Sequence, residues 1–591
     1  MKTLKGGEFL IRSIDYKNMF IPEEWNEEQK MIAKTCEDFL KSDIYPNLDR
    51  IDALEEGLMP SLLDKAGELG LLGISIPEEY GGFGKDFLTS MLVTEVTGRG
   101  HSFAVSLSAH TGIGTLPILY FGNDEQKQKY IPKLATGEWK AAYCLTEPSA
   151  GSDANSGKTK AELSEDGSTY TLNGQKMWIT NGGFADVFTV FAKIGDDENL
   201  SAFIVDAKSE GISLNPEEKK MGIKGSSTRQ VFFNDVKVPA ANLLGEREGG
   251  FKIALYILNI GRIKLAGAAL GAMKKSIDHA VNYANERSQF GRPIAKYGAI
   301  RHKLAEQAIQ TFAVESATYR CSQNIDDAID AYIAEGMDKQ KAVIKACQEY
   351  GIEAAILKVH ASEALDYVVD EAVQVYGGMG YSAESPVERG YRDSRINRIF
   401  EGTNEINRML VVDMLMKKAM KGELDLLAAA QKVAGELMDI PDMGETDDSP
   451  FAKAEDLIER FRKATLMVAG SAAQKLMMEL AKEQEILMNV SDMAAIVYIS
   501  ESLMNRVRKI VDSKGEEAAS VYFDMMEVYL FDAADRMNKL GKDALVGFAT
   551  EDELRMMMMG LKRFTKTDPV NTKEARRRIA AQLIDKNEYC F

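Results

Sequence analysis

The sequence predicts an α+β protein in four parts: an N-terminal α-helical domain (1–140), a middle antiparallel β-domain (141–248), a four-helix bundle (249–421) and an extra α-helical C-terminal domain (422–591). Three observations lead to this prediction. Apolar residues recur at helical spacing before residue 140 and after residue 249. Between them lie short alternating runs of β-branched and aromatic residues, separated by turn formers, which are typical of strands. A chain of 591 residues is also too long for one hydrophobic core.

Composition and charge argue against several classes of protein. Hydrophobic residues make up 45% of the chain and charged residues 27%, as in ordinary globular proteins. The formal net charge of −18 argues against nucleic acid as a partner, because phosphate binding needs clustered Lys and Arg. The five cysteines lack paired spacing and the five histidines are scattered, so reduced thiols, a cytoplasmic location and no metal site are expected. No secretory leader and no run of about 18 apolar residues is visible, so neither a signal peptide nor a membrane-spanning helix is expected.

The N-terminal part has apolar residues at helical spacing over 24–40 and 62–72, with breakers at Pro77 and Gly81. A strip of small residues follows within 103–121, formed by Ser106, Ser108, Ala109, Gly112 and Gly114. Small residues mostly serve close helix packing. The alternative use of this strip is to leave room for a long apolar ligand.

The middle part contains the apolar runs that predict strands, at 170–172, 176–180, 188–191, 202–205 and 231–233. Turn formers separate them at Asp166-Gly167, Asn173-Gly174 and Asn181-Gly182-Gly183. Because the runs are short and the turns close together, the pattern indicates a small antiparallel domain.

The remainder of the chain is helical by pattern, with long helices predicted at roughly 251–290, 297–326, 338–377 and 404–421. A break rich in Asp, Gly and Pro at 440–450 divides the last 170 or so residues, which contain no recognisable catalytic motif. The methionines 556–559, followed by the basic residues 576–578, are compatible with a membrane surface. Adaptable packing of Met in a helical core is the more common use of such residues.

The stretch on which a function depends is 399–408, IFEGTNEINR. Gly402 can adopt backbone angles that other residues avoid, so Glu401 is expected on a tight turn. Thr403 is a good N-cap for a helix that follows. A carboxylate fixed before a helix in this way suits a general base, although a lone Glu-Gly pair is more often an ordinary charged turn.

This decapeptide resembles the catalytic segment of the acyl-CoA dehydrogenases, and further blocks of that family occur in the family's order. The resemblance implies that Glu401 is the catalytic base. It further implies that Phe400 and Gly402 contact the substrate and that Thr403, Asn404 and Glu405 contact FAD. The small-residue strip would then accommodate an acyl chain.

Two blocks resemble the flavin site of that family, 143–153 (YCLTEPSAGSD) and 177–181 (MWITN). A strand that runs into a Gly/Ser loop offers backbone N–H groups and hydroxyls, and a Trp beside a Thr adds an aromatic plane and a donor. A strand Trp by itself is usually core packing. The resemblance implies FAD contacts at Tyr143, Leu145, Thr146, Gly151, Ser152, Trp178, Ile179 and Thr180, with Ser152 also at the substrate.

A third block, 258–262 (LNIGR), looks most like the very-long-chain branch of the family. An Arg at mid-helix is either a paired structural charge or an anchor for a ligand. The resemblance implies substrate contacts at Asn259, Gly261 and Arg262. The absence of a carboxylate here agrees with the branch of the family that carries its base before Gly-Thr, as Glu401 does.

Two further blocks, 286–294 (ERSQFGRPI) and 374–381 (QVYGGMGY), resemble segments that bind FAD across a subunit interface. The implied FAD contacts are Arg287, Gln289, Phe290, Gln374, Val375, Tyr376, Gly377 and Gly378. Gly378-x-Gly380 also matches a dinucleotide-binding fingerprint, but the preceding residues have helical spacing, so a Rossmann fold is rejected.

The resemblance covers about 30–420 and implies a complete activity. An FAD-dependent enzyme would take the α-proton of a long-chain acyl-CoA with Glu401, form trans-2-enoyl-CoA in fatty acid β-oxidation, and pass electrons to an electron-transfer flavoprotein. The extra C-terminal domain resembles that of very-long-chain members, which implies a homodimer and leaves membrane association open. Ser149 and Gln289 depart modestly from the family's pattern. An acyl-CoA oxidase and a non-catalytic assembly or scaffold relative remain alternatives.

Overall fold

The computed structural model describes residues 4–437 and 449–591 of the chain. The predicted break at 440–450 therefore lies outside the described residues except for its last two positions. One large apolar core joins the central helical bundle, the C-terminal helices, part of the N-terminal domain and some residues of the β-sheet. The first N-terminal helices form a second core, and the remaining buried residues of the sheet form a third. The predicted α+β architecture is confirmed.

Short helices form the N-terminal part, where the apolar spacing over 24–40 and 62–72 predicts two of them. They are α1 (Glu27–Phe39), α2 (Leu48–Asp52), α3 (Leu58–Glu68), α4 (Phe87–Thr97), α5 (Ser102–Ser108), α6 (Leu116–Phe121) and α7 (Asp124–Thr136). Asp86 caps α4 by accepting from the N–H of Thr89. Every residue of α4 is buried, because this helix lies in the middle of the core rather than at its edge.

The middle sheet is built from β1 (Ala141–Cys144), β2 (Lys160–Leu163), β3 (Thr169–Thr180), β4 (Val187–Ile194), β5 (Ser201–Asp206), β6 (Ile212–Leu214), β7 (Thr228–Pro239) and β8 (Leu243–Leu244). Their order is β6-β7-β3-β2-β4-β5-β8, with β1 paired to β4. Most pairings are antiparallel, but β4 runs parallel to β1 and β2, so the prediction of a wholly antiparallel domain needs this correction. Long connections, not hairpins, lead from β1 and β2 to β4, and they allow parallel pairing.

One predicted turn is wrong. Asn173 and Gly174 lie inside β3, where the pairing with β7 shifts register. Gly174 has φ +156° and the Asn173 amide donates to Asp235 on β7 at 3.0 Å. An extra residue at this position forms a bulge, which has the same sequence signals as a turn while the strand continues.

The bundle consists of α8 (Gly250–Glu286), α9 (Gly298–Ala334), α10 (Lys339–Glu349), α11 (Gly351–Tyr376), α12 (Pro386–Ser394) and α13 (Asn404–Met420). A short hairpin, β9 (Ser288–Gln289) with β10 (Arg292–Pro293), follows α8. The helix predicted over 338–377 is two helices, because the chain breaks at Tyr350, whose hydroxyl donates to the carbonyl of Leu4 at 2.9 Å. α9 extends past 326, since Ala328, Ile329 and Tyr332 keep its apolar face buried.

The C-terminal helices are α14 (Leu426–Glu436), α15 (Pro450–Leu476), α16 (Gln484–Lys514), α17 (Ser520–Phe548), α18 (Glu551–Phe564) and α19 (Thr572–Lys586). They pack against the outside of the bundle, where α16 contacts α9 and α13. Arg506 of α16, only 1% exposed, pairs with Glu315 of α9 at 2.8 Å and with Glu23 at 2.9 Å. Met557 is buried and Met559 is exposed, so the methionine run has one face in the core.

Within residues 4–437 and 449–591, three helical segments are long and apolar enough to cross a membrane by length and composition alone: Ser102–Phe121, Gly250–Glu286 and Gln484–Lys514. The expectation of no such helix is therefore corrected on this criterion. Between 61% and 78% of each apolar window is buried inside the fold. The test of an uninterrupted apolar run missed them because polar residues interrupt each segment.

Candidate active site

Glu401 lies on a backbone turn that the local sequence builds. Its φ is +59° and that of Gly402 is +81°, both in the left-handed region. Such a conformation costs a residue with a side chain about 1–2 kcal/mol, so the surroundings must hold it in place. Thr403 accepts from the N–H of Ile406 at 3.3 Å and starts α13, as the sequence predicts. The side-chain amide of Asn407 donates back to the carbonyl of Gly402 at 2.8 Å.

A lysine on α11 also holds the Glu401 turn through hydrogen bonds. Lys358 donates to the carbonyl of Gly402 and to the side-chain oxygen of Asn404, both at 2.7 Å. Burial lowers the pKa of Lys358 to about 8, and the charge of Glu401 opposes that change. The sequence reasoning missed this lysine, because only the packing of α11 against α13 brings it to the turn.

The Glu401 carboxyl is enclosed by protein. Burial raises its pKa to about 7, while Arg262 and Lys358 act in the opposite direction. Its Oε2 atom is buried and has no hydrogen-bond partner among the described residues. Within the same part of the chain, the backbone N–H of Glu401 also has no acceptor. The residue therefore presents a proton acceptor and a backbone donor, neither of which the fold itself uses.

The helix α8 supplies the opposite wall. A Cβ atom on Gly261 would lie 2.7 Å from Oε2 of Glu401, so a side chain at this position would displace the carboxyl. Arg262 is buried, and its guanidinium donates to the backbone carbonyl of Glu401 at 3.3 Å and to Asn259 Oδ1 at 2.8 Å. Its contacts in the fold thus position the turn and leave the carboxyl oxygens of Glu401 unpaired.

A cavity of about 200 Å³ opens from this carboxyl. Phe400, Gly261 and Thr180 line it beside Glu401, and α5 and the π-helical turn Ala109–Gly114 form another wall. The small-residue strip is divided between close packing and the wall of the cavity. A Cβ on Gly114 would lie 2.8 Å from the Cβ of Ala141, which is close packing, whereas Gly112 lines the cavity and has no neighbour within 4 Å.

The residues of the two flavin-like blocks meet across β1 and β3. Tyr143 is buried with an unpartnered hydroxyl, and Thr180 at the end of β3 lines the Glu401 cavity. Trp178 is 53% exposed at φ +62°, so it is not the core residue that a strand Trp usually is. The register shift between Lys176 and Ile179 turns its side chain out of the sheet.

The loop between these strands is fixed by a pair that the sequence reasoning did not single out. Lys176 and Glu147 are both buried and lie 2.7 Å apart. Lys176 also donates to the carbonyl of Leu145 at 3.1 Å, and Thr146 accepts from the N–H of Met177 at 2.9 Å. At the tip of the loop, Gly151 has open space around it and Ser152 is exposed.

The residues assigned to a neighbouring subunit's cofactor do not line the Glu401 cavity. Phe290 is 96% exposed at the hairpin tip, between exposed Gln289 and Gly291, and Arg287 is exposed at the end of α8. At the end of α11, Tyr376 stacks on Tyr283 with ring centroids 4.0 Å apart.

The two glycines directly after α11 are exposed, as is the tip of the hairpin after α8. Gly377 and Gly378 have no atom within 4 Å of a built Cβ, while Val375 is buried and Gln374 is exposed. Gly378 and Gly380 follow a helix and not a strand, which agrees with the rejection of a Rossmann fold. At the Glu401 turn, the Asn404 amide is fully used by Lys358, Ser362 and Glu363, and Glu405 is exposed.

Family profiles match most of the chain. Profiles described as acyl-CoA dehydrogenase N-terminal, middle and C-terminal domains match 26–138, 142–236 and 248–416. A further profile, also described as an acyl-CoA dehydrogenase C-terminal domain, matches 460–563 in the extra helices.

Individual proteins agree with these profiles. A Bacillus subtilis protein described as "Probable acyl-CoA dehydrogenase" is 46% identical over 586 residues, which are 99% of this chain and 98% of that protein. The mitochondrial very long-chain specific acyl-CoA dehydrogenase of Bos taurus is 45% identical over 372 residues, 61% of this chain and 53% of that protein. The crystal structure of a Bacillus anthracis acyl-CoA dehydrogenase complexed with FAD covers both chains fully at 47% identity, with a TM-score of 0.97. This chain therefore belongs to the acyl-CoA dehydrogenase family.

Proposed function

We propose that this chain is an FAD-dependent acyl-CoA dehydrogenase that converts long-chain acyl-CoA thioesters to trans-2-enoyl-CoA in fatty acid β-oxidation. One observation carries the proposal. The unpaired carboxyl of Glu401, with its raised pKa, lies at the wall of an apolar cavity against a glycine on the facing helix. A carboxyl tuned in this way can accept a proton from a weak carbon acid near neutral pH.

The residues present fit FAD. The unpartnered hydroxyl of Tyr143, the exposed plane of Trp178 and the open space at Gly151 leave hydrogen-bonding groups and an aromatic surface for a flavin. Tyr143, Leu145, Thr146, Ser152, Trp178, Ile179 and Thr180 would hold it on one subunit. When bound, FAD supplies the acceptor for the hydride that leaves the β-carbon of the substrate.

The protein's own groups account for the acid–base part of the reaction. Glu401 takes the proton from the α-carbon of the thioester through Oε2. The negative charge that develops on the thioester oxygen is stabilised by a donor that the fold leaves free, the backbone N–H of Glu401. Arg262 and Lys358 hold the turn through backbone carbonyls, so the carboxyl keeps its position as its charge changes. The apolar walls exclude water and so support the raised pKa.

The cavity that Gly112 and Ala109 leave open supports the proposal of a long-chain substrate. We further propose an electron-transfer flavoprotein as the electron acceptor, a homodimer and a cytoplasmic location. The exposed hairpin with Phe290 and the exposed turn at Gly377 support a partner subunit at this edge. The packing of α16 and α19 on α9 supports a dimer over a larger assembly, because these helices cover the outside of the bundle.

An anaerobic visible spectrum of the purified holoenzyme tests this proposal. Titration with palmitoyl-CoA should bleach the flavin absorbance of the wild-type protein and leave that of Glu401→Gln unchanged. A protein that binds no flavin, or a wild-type flavin that palmitoyl-CoA does not bleach, would overturn the proposal. Rapid oxygen consumption during aerobic turnover would instead assign the chain as an oxidase.

A further inference from the structure

The cavity at Glu401 continues along one face of α8. Its lining residues on this helix recur every third or fourth position, at Gly261, Leu265, Ala268, Ala272, Lys275 and His279. This face runs for about five turns, or about 27 Å, beyond the point opposite Glu401. At about 1.2 Å per bond of an extended chain, that length takes roughly 20 carbon atoms. The near part of the face is apolar and small, whereas its far end is not.

Cationic groups gather at the far end. Lys275 lines the cavity there and has neither an ion pair nor a hydrogen bond within the described residues; its ammonium lies 5.3 Å from the ring centre of Tyr45. Arg99 lines the same end, and its Nε is buried without a partner. Its Nη1 reaches Glu37 only at 3.4 Å, and Glu37 is also 4.0 Å from Lys41.

The acidic groups nearby already have donors. Asp393 lines the cavity, but it lies 3.0 Å from Nδ1 of His101 and also accepts from the N–H of Ile223. Asp278 accepts from the N–H of Tyr589 at 2.8 Å. Burial lowers the pKa of Lys275; the charge of Asp278 opposes that change, and the charges of Arg99 and Lys41 add to it. No carboxylate among the described residues lies within ion-pair distance of the Lys275 ammonium, so this cation at the end of the cavity is available to an anionic group of a ligand.

We propose that this end binds an anionic chain terminus, so that the enzyme also accepts long ω-carboxyacyl-CoA thioesters, with Lys275 and Arg99 on the distal carboxylate. The inference rests on the proposed function, since it extends the substrate of the same site. The methyl terminus of an ordinary acyl chain would desolvate the Lys275 ammonium without forming a hydrogen bond or an ion pair with it. A carboxylate would pair with it through charge-assisted hydrogen bonds.

The test compares two CoA thioesters of equal length, hexadecanedioyl-CoA with one free carboxyl and palmitoyl-CoA, on the holoenzyme. Lys275→Met should lower kcat/KM for hexadecanedioyl-CoA at least tenfold more than it lowers kcat/KM for palmitoyl-CoA. The control Lys41→Met removes the same charge from a side chain that is 65% exposed and does not line the cavity, and it should leave the ratio unchanged. An equal loss for both thioesters would overturn the proposal, since it would assign Lys275 to the phosphates of CoA.

Chain length and binding give two further readouts. Lys264 also lines the cavity, about one turn beyond Gly261, and its ammonium donates to Ser90 Oγ at 2.7 Å. If ω-carboxyacyl-CoAs of six carbons outperform those of sixteen, Lys264 takes the anion and the assignment to Lys275 is wrong. Calorimetric titration with the two trans-2-enoyl-CoA products needs no turnover. Tighter binding of the ω-carboxy product, lost in Lys275→Met, would support the inference even if palmitoyl-CoA is not dehydrogenated and the proposed function fails.

Discussion

Gly261 on α8 and Glu401 before α13 approach so closely that a methyl group on the glycine would lie 2.7 Å from the carboxyl oxygen Oε2. The contact explains why a helix interior carries a residue that weakens helices by about 1 kcal/mol relative to Ala. The carboxyl occupies the space that any side chain on α8 would fill. The position of the proposed base therefore depends on two segments that are far apart in the sequence.

Replacing Gly261 with Ala should displace the base. The Cβ would force the carboxyl to move by a fraction of an ångström or more, and such a misplacement can lower kcat about 100-fold. Steady-state kinetics with palmitoyl-CoA measure the effect. Gly435→Ala is the matched control, because Gly435 also lies in a helix but has no atom within 4 Å of a built Cβ. Equal kcat values for the two variants would contradict the assigned contact.

Glu401→Gln should abolish proton abstraction while the fold persists, because the amide keeps the shape of the carboxyl but is not a base. We expect kcat to fall on the order of 10³-fold or more. Circular dichroism and flavin content serve as controls for folding. A variant that keeps a tenth of the wild-type kcat would show that another group takes the proton.

The ionisation of Glu401 should raise the activity and lower the stability of the folded protein as the pH increases. The base is active when ionised, so kcat/KM should rise with pH through about 7 and level off above it. The pKa of the folded state lies above the ordinary value of 4.5, so the folded protein holds this proton more tightly than the unfolded chain. Its contribution to stability is fully present below about pH 4.5 and is lost as the pH rises through about 7.

Glu401→Gln removes this loss of stability. The variant should therefore have a higher Tm than the wild type at pH 8, and the two should differ little at pH 5. Differential scanning calorimetry of both proteins at the two pH values measures it. A Tm difference that does not change with pH would mean that burial does not raise the pKa of this carboxyl.

Lys358→Met should act through position and charge together. It removes the two hydrogen bonds that hold Gly402 and Asn404, so we expect kcat to fall about tenfold. It also removes a cation that lowers the pKa of Glu401, so the pH at which kcat/KM is half-maximal should move upward. Lys358→Arg keeps the charge and should keep the pH profile near that of the wild type. A lower kcat with an unshifted profile in the Met variant would assign Lys358 a structural role alone.

Arg506→Met should destabilise the attachment of the C-terminal helices. The change removes the guanidinium that pairs with Glu23 and with the buried Glu315, and Glu315 keeps its ion pair with Lys274, so we expect a loss of about 1–3 kcal/mol. Tm measured by calorimetry should fall by several degrees. Lys482→Met, which breaks an exposed pair with Glu479, is the control and should change stability by less than about 1 kcal/mol. Similar Tm values for both variants would contradict the assigned role of Arg506.

The local features of the site could be read directly from the sequence. The turn at Glu401 follows from Gly402 and from the N-cap of Thr403, and these interactions act over a few residues. The four-part architecture follows in the same way from the periods of the apolar residues. Local patterns were misleading where the same sequence signal is compatible with two different local structures. Asn173-Gly174 forms a bulge instead of a turn, and Tyr350 breaks a helix whose apolar face continues on both sides.

Only the tertiary structure decides what faces the base. Arg262 and Glu401 are 139 residues apart in the chain, and no local pattern reports that the guanidinium holds the backbone carbonyl and leaves the carboxyl unpaired. The same holds for Lys358, for the outward turn of Trp178 and for the Lys275 ammonium, which has no ion pair among the described residues. The sequence by itself predicted the turn at Glu401 and the elements around it, because propensities and caps are local, and its resemblance to the family proposed Glu401 as the base. Burial and electrostatics sum over every neighbour in space, so the pKa of Glu401 and the shape of its cavity were decided by the packing of α8, α11 and α13.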